Sequence, residues 1–191
     1  ASPTAGLDLQ HVLTGYSLSS WVERDGMPIG VVRAIVQDRD GYLWLGTSSG
    51  LLRFDGVRFV TAEALGYTGL PPSAIRTLVI SARDDALWIG FDENAGVRVI
   101  RNGRVQPLSQ EAPHASVASL AQDQSGVIWA ATDGGVYSHD GTQWHKARLA
   151  SSGPEPTPFV VYADRRGALW AGTSAGLFER ADGDRFEHAG A

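Results

Sequence analysis

The stretch Gly41-Tyr42-Leu43-Trp44-Leu45-Gly46-Thr47-Ser48-Ser49-Gly50-Leu51 decides the fold, because the chain repeats it three more times. It returns as Ala86-Leu87-Trp88-Ile89-Gly90 followed by Gly96-Val97, and as Gly126-Val127-Ile128-Trp129-Ala130-Ala131-Thr132 followed by Gly135-Val136. The last copy is Gly167-Ala168-Leu169-Trp170-Ala171-Gly172-Thr173, followed by Gly176-Leu177. Successive tryptophans lie 44, 41 and 41 residues apart. A fixed period of about 40 residues marks a stacked repeat architecture, in which each unit buries its faces against its neighbours.

The first unit reads as four short β-rich runs closed by turns. Ala34-Ile35-Val36-Gln37-Asp38 leads through Arg39-Asp40-Gly41 into Tyr42 to Thr47. Ser48-Ser49-Gly50 then turns into Leu51-Leu52-Arg53-Phe54, and Asp55-Gly56 turns into Val57-Arg58-Phe59-Val60. Asp-Gly before a strand is a hairpin signal, since glycine takes positive φ without a Cβ clash. Each unit is therefore expected to be a four-stranded antiparallel meander.

The second strand of each unit is apolar without alternation: Leu43-Trp44-Leu45, Leu87-Trp88-Ile89, Ile128-Trp129-Ala130 and Leu169-Trp170-Ala171. A strand apolar on both faces must be covered on both. Small sheets stacked face to face around an axis, as the blades of a propeller are, satisfy that requirement. The expected fold class is thus all-β, a propeller-type array of four four-stranded antiparallel blades. Trp44, Trp88, Trp129 and Trp170 are read as interblade core rather than as a ligand cage. Gly46, Gly90, Ala131 and Gly172, two positions after each Trp, would let the next blade approach closely. The connection Thr61 to Ser73 is read as loop, since Gly66, Gly69, Pro71 and Pro72 end any helix at once. The Pro-rich Leu149 to Pro158 is read as loop as well.

The 191 residues are 43% apolar and include 23 glycines and 9 prolines, enough for a core and many tight turns. The formal charge is −5, with the two signs interspersed and Lys146 the sole lysine, which argues against a nucleic-acid partner. No cysteine is present, which excludes disulfides and thiol chemistry but does not fix the compartment. No apolar run reaches the roughly 18–20 residues that cross a membrane. The leading Ala1-Ser2-Pro3-Thr4-Ala5-Gly6 is compatible with a mature end left by signal cleavage, or with a simple boundary.

Catalytic patterns are sparse. His139 and His145 flank a turn around Asp140 and are read as surface turn residues; His11, His114 and His188 stand apart. No H-E-x-x-H, G-x-S-x-G or phosphate-binding glycine loop occurs. Asp38-Arg39-Asp40-Gly41 superficially resembles a cation loop. Its counterparts, taken as Ala82-Arg83-Asp84-Asp85, Asp123-Gln124-Ser125-Gly126 and Asp164-Arg165-Arg166-Gly167, keep too few carboxylates. Asp38, Asp123 and Asp164 are instead expected to accept backbone hydrogen bonds across their own turns. No metal and no cofactor is expected.

The residues Ser20-Trp21-Val22-Glu23-Arg24-Asp25-Gly26-Met27-Pro28, then Val32 to Thr47, then Gly50-Leu51-Leu52-Arg53-Phe54-Asp55-Gly56, resemble the two-component regulator propeller repeat. The likeness runs from about residue 13 to 188, closest in the first blade and loosest in the second, where Asp84-Asp85-Ala86 replaces a glycine turn. It implies a periplasmic sensory propeller, non-catalytic itself, of the kind that precedes a membrane helix and a histidine kinase or diguanylate cyclase output domain. It also implies about seven blades where this chain supplies four. The expected organisation is a leader at 1–11, a lead-in strand and loop at 12–30, and blades at 31–61, 74–107, 116–148 and 158–191. Such an array is expected to be part of a larger propeller, or to be completed as a homodimer through its open faces; a closed four-bladed ring is the alternative.

A binding site on this fold should use the loops at one end of the blades. The blade-to-blade connections and the turns between second and third strands emerge together there, next to Arg33 and Arg76 on first strands. Phe91-Asp92-Glu93-Asn94-Ala95-Gly96 is two residues longer than its equivalents, and insertions on one face of a repeat protein often mark the working face. Arg33, Arg76, Tyr67, Asp92, Glu93, Asn94 and Asp133 are the candidate ligand-binding residues, suited to a sugar or an amphiphilic metabolite. Two other functions use the same scaffold: a lyase resembling the streptogramin-inactivating enzymes, for which His114 is the one histidine on the expected face, and a protein-interaction platform.

Overall fold

The computed structural model describes Trp21, residues 30–107 and residues 112–190. The leader, most of the lead-in segment and its expected extra strand, including the motif Ser20 to Pro28, lie outside the described residues apart from Trp21. The described residues form strands and turns, with no helix among them.

Four antiparallel sheets follow in chain order. Blade one is β1 (Val32–Gln37), β2 (Leu43–Thr47), β3 (Gly50–Phe54) and β4 (Phe59–Thr61). Blade two is β5 (Ile75–Ile80), β6 (Leu87–Phe91), β7 (Val97–Arg101) and β8 (Arg104–Val105). Blade three is β9 (Val117–Gln122), β10 (Ile128–Thr132), β11 (Gly135–His139) and β12 (Trp144–Lys146). After the short β13 (Arg148–Leu149) comes blade four: β14 (Pro158–Ala163), β15 (Leu169–Thr173), β16 (Gly176–Asp182) and β17 (Arg185–His188). Each blade is a meander whose strands pair in sequence order. First strands of successive blades pack side by side, β1 on β5, β5 on β9 and β9 on β14, which is the geometry of a propeller.

The connection read as pure loop contributes to the sheets at both ends. Leu149 lies in β13, which pairs parallel to β17 through Arg148 with Arg185 and Leu149 with Phe186, and makes blade four five-stranded. Leu149 and Phe186 are both buried in the core between blades three and four, so apolar burial holds a segment that its prolines mark as irregular.

One register organises the core. Each first strand carries a bulge after its first residue, so that Val32, Ile75, Val117 and Pro158 are equivalent. The fourth position, Ile35, Leu78, Leu120 and Val161, faces the preceding blade. Leu78, Leu120 and Val161 are buried, whereas Ile35 is 59% exposed, because blade one has no described blade before it. The opposite face shows the same contrast at the other end. Leu51, Val97 and Val136 pair with Gly46, Gly90 and Ala131 and are buried against the next blade; their counterpart Leu177 is 46% exposed. Tyr162 and Val160 are exposed there too. The four blades form an open arc with an apolar face at its trailing end.

Trp44, Trp88 and Trp129 are buried in the three junctions, each packed among residues of its own blade and the next. Trp170 holds the same register but is only partly buried, since no described blade follows it. The small residue after the tryptophan is required by close approach. A Cβ on Gly46 would run into Ile75 of blade two, and one on Gly90 would sit 2.7 Å from Val117 Cγ1 of blade three.

Candidate functional site

Two ends of the blades differ in chemistry. At the end carrying the β1–β2 turn and its equivalents, an aspartate closes the turn. Asp38 Oδ1 accepts the Tyr42 N–H, Asp123 Oδ1 accepts those of Ser125 and Val127, and Asp164 Oδ1 accepts those of Arg166 and Ala168. The backbone role expected of these carboxylates is therefore present. Their second oxygen has a role not expected: Trp44, Trp129 and Trp170 each donate the indole N–H to Oδ2 of the aspartate six residues earlier, at 2.8, 3.0 and 3.2 Å. One carboxylate thus ties each turn to the blade core. Burial works to raise the Asp123 pKa, but hydrogen bonds from Ser125, Trp129 and Val127 outweigh it and hold the group below the usual carboxylate range.

Blade two departs from this pattern in a way that corrects the sequence alignment. Ile80 pairs with Leu87 where Gln37 pairs with Leu43, so its turn is one residue longer. Ser81, not Ala82, stands where Asp38 stands: Ser81 N donates to Ala86 O as Asp38 N donates to Tyr42 O. Asp85 takes φ +55 at the place of Gly41, whose φ is +88, so a non-glycine residue sits in the left-handed region.

The opposite end holds the sequence-predicted group. Arg76, at the second position of β5, and Arg33, at the same position of β1, approach Asp92 at 3.6 and 3.7 Å. Asp92 follows β6, and its backbone is fixed by bonds to Ala74 O and from Ser73 Oγ. Glu93 and Asn94 both take positive φ, and Asn94 N donates to Ser116 Oγ. Ser116 O accepts the N–H of Asp133, so the long turn of blade two and the exposed β10–β11 turn are linked through one serine. Gly96, at φ +70, closes that long turn hard against the Pro113 carbonyl, which leaves no room for a side chain. The two guanidinium groups share the Asp92 carboxylate and are more than a third exposed.

Tyr67 does not join this group. It meets the edge of Trp44 at 5.8 Å and lines a cleft of about 560 Å³ formed by the Thr61 to Ser73 connection over the junction of blades one and two. His114 is exposed. His139 is not the surface residue the sequence suggests: its ring lies edge-on to both Trp88 (4.9 Å) and Trp144 (5.0 Å), and burial pushes its pKa down. His145 pairs with Asp140 at 3.3 Å. Sequence reasoning missed Phe159, which occupies in blade four the position of Arg33 and Arg76 and is exposed. The equivalence of first-strand positions, read two residues before Val161, would have found it. Among the described residues no group of three or more His, Cys, Asp or Glu is placed to hold a metal ion.

Comparison with known proteins adds to this geometry. Residues 26–49, from the lead-in to the β2–β3 turn, match the family model described as two component regulator propeller. The match takes in β1 and β2 of blade one. No curated protein sequence matches the chain. Among solved structures, the fold recurs in the extracellular domain of BT4673 from B. thetaiotaomicron, described as a hybrid two component system. That domain is 22% identical with a TM-score of 0.71 over 90% of this chain. Virginiamycin B lyase from Staphylococcus aureus aligns over 84% of the chain and 57% of its own length, at 14% identity and TM-score 0.63. PorZ, a surface component of the type-IX secretion system of Porphyromonas gingivalis, aligns over 88% and 29%, at 14% and 0.66. At these identities the likeness establishes the propeller fold. The chain spans about a quarter of the BT4673 extracellular domain (24%).

Proposed function

We propose that this regulator-propeller segment is the sensory part of a bacterial two-component receptor, non-catalytic itself, and that it works outside the cytoplasm in the periplasm. The observation that carries the reading is the regulator-propeller match in blade one, on a fold shared with an extracellular domain described as part of a hybrid two component system. The chemistry of the Arg33, Arg76 and Asp92 group supports it. Two exposed guanidinium groups sharing one carboxylate, on rigid first strands, suit a hydroxyl-rich solute such as a sugar. Glu93, Asn94 and Asp133 form the rim on the blade-three side, and Phe159 offers an apolar contact further along the same end.

A calorimetric screen of neutral sugars, sugar acids and amino acids tests the proposal. The expected result is a ligand whose affinity drops at least tenfold in Arg76→Ala and in Asp92→Ala, at unchanged thermal midpoint. A ligand bound equally well by both variants would move the sensing site elsewhere. Turnover of that ligand by the protein would overturn the non-catalytic reading.

A further inference from the structure

Blade two lacks the carboxylate that the other three blades place under their tryptophan. Ser81 occupies that position, and its hydroxyl accepts from Gln122 Nε2 and Arg83 N and bonds the Asp84 carboxylate. Trp88 Nε1 is left without a hydrogen-bond partner, on a side chain only 3% exposed. Buried polar groups are almost always paired, so an orphaned donor calls for an explanation. Since Ser81 replaces Asp38, Asp123 and Asp164, the Trp88 N–H is directed to the Ser81 end of the blade. A cavity of about 350 Å³ lies there between blades two and three, lined by Ser81, Trp88 and His139 together with two cations, Arg83 and Arg101, and two carboxylates, Asp84 and Asp140.

The neighbouring junction shows what is missing. Between blades three and four, Asp123 Oδ2 accepts both the Trp129 N–H and Arg180 Nη1, and the Arg180 guanidinium lies 4.9 Å over the Trp129 ring. The strand registers make His139 the counterpart of Arg180. The blade two–three junction thus has neither an aspartate at the Asp123 position nor a guanidinium at the Arg180 position, and the Asp84–Arg101 ion pair lines its cavity instead. The guanidinium groups near the gap come from elsewhere: Arg101 is paired with Asp84 at 2.7 Å, and exposed Arg83 reaches across to Gly141. Asp140, on the other edge, is held by Thr142 and Gln143.

We propose that this cavity binds a small carboxylate-bearing solute, whose carboxylate takes the place of the absent aspartate side chain by accepting the Trp88 N–H and pairing with Arg83. Asp140 and Asp84 at the rim match an ammonium group, so α-amino acids are the best-fitting class. The site opens at the turn end of β5 and β6, opposite the Arg33, Arg76 and Asp92 group, and does not depend on the sensory reading.

The test is a titration of the ¹⁵N-labelled protein with sodium acetate and with glycine, against sodium chloride at matched ionic strength. The Trp88 indole resonance, assigned from its loss in Trp88→Phe, is the readout. The expected result is a saturable shift of that resonance with acetate or glycine but not with chloride. Ser81→Asp, which supplies the carboxylate internally, should show a displaced resonance from the start and at least tenfold weaker binding. Arg83→Ala should weaken binding severalfold. A resonance that does not move, that drifts as it does in chloride, or that saturates equally in Ser81→Asp overturns the proposal. If Ser81→Asp does not fold, unchanged affinity in Arg83→Ala overturns it instead.

Discussion

Adding one methyl group at Gly90 should wedge blades two and three apart, while the same change at Gly172 should do almost nothing. A Cβ at Gly90 would lie 2.5 Å from Thr77 Cγ2, 2.7 Å from Val117 Cγ1 and 3.0 Å from Val117 Cβ. Val117 is fully buried at the base of blade three and cannot retreat without moving its strand. Overpacking of this kind costs about 1–3 kcal/mol. Replacing a strand glycine by alanine returns about 0.5–1 kcal/mol by restricting the unfolded chain. The net expectation for Gly90→Ala is a loss of about 1–2 kcal/mol, or roughly 2–8 °C in midpoint for a chain of this size. At Gly172 the new Cβ would meet only Val160 Cγ1 of its own blade, at 2.7 Å, and Val160 is exposed and free to turn. Gly172→Ala should therefore be neutral or slightly stabilising. Urea unfolding followed by tryptophan fluorescence measures both. Equal midpoints for the two variants would refute the claim that the position after the tryptophan is set by the next blade.

Asp123→Ala removes the acceptor of the Trp129 and Arg180 bonds and of the turn bonds, and should cost about 2–4 kcal/mol in urea. Asp38→Ala, with fewer partners, should cost less. The folded-state carboxylates of Asp55, Asp84, Asp123, Asp140 and Asp164 are all held below the unfolded value of 3.8. Their contribution is therefore complete above about pH 5 and is lost as the pH falls through the folded pKa values, so an acid titration of the urea midpoint should decline below about pH 4. A midpoint flat down to pH 2 would count against these hydrogen bonds. Leu177→Ser on the open trailing face should change stability by no more than about 0.5 kcal/mol, whereas Val136→Ser at the equivalent buried position should cost several times that. The former should also reduce any concentration-dependent association seen by sedimentation.

Much of the fold was legible because the repeat leaves little freedom. Four Trp-centred apolar runs, each followed by a turn, define β2, β6, β10 and β15, and their two-sided apolarity demands stacked neighbours. Gly46 and Gly90 announce the close approach that the structure shows. What was not legible depends on register or on distant partners. By sequence Ala82 reads as the counterpart of Asp38, one residue past Ser81, because Asp85 adopts a glycine-like φ and hides a longer turn. His139 reads as a turn residue until blade two supplies Trp88 against it. β13 is two residues in a Pro-rich linker, specified by Leu149 meeting Phe186 from 37 positions further along rather than by any local pattern. Within the candidate site, Arg33, Arg76 and Asp92 came together because equivalent strand positions project alike. Tyr67 went elsewhere because its loop folds back over the core.

The strap formed by β13 also bears on how copies of the protein can meet. An unpaired outer strand is a template on which another chain can build sheet. The outer strands β4, β8 and β12 are two or three residues long, too short to recruit a stranger. β17, the longest at four, has half its rim occupied by Arg148 and Leu149. Growth by strand addition is therefore discouraged at every blade, and contact between molecules is channelled to the blade faces, where register and shape rather than backbone hydrogen bonds select the partner.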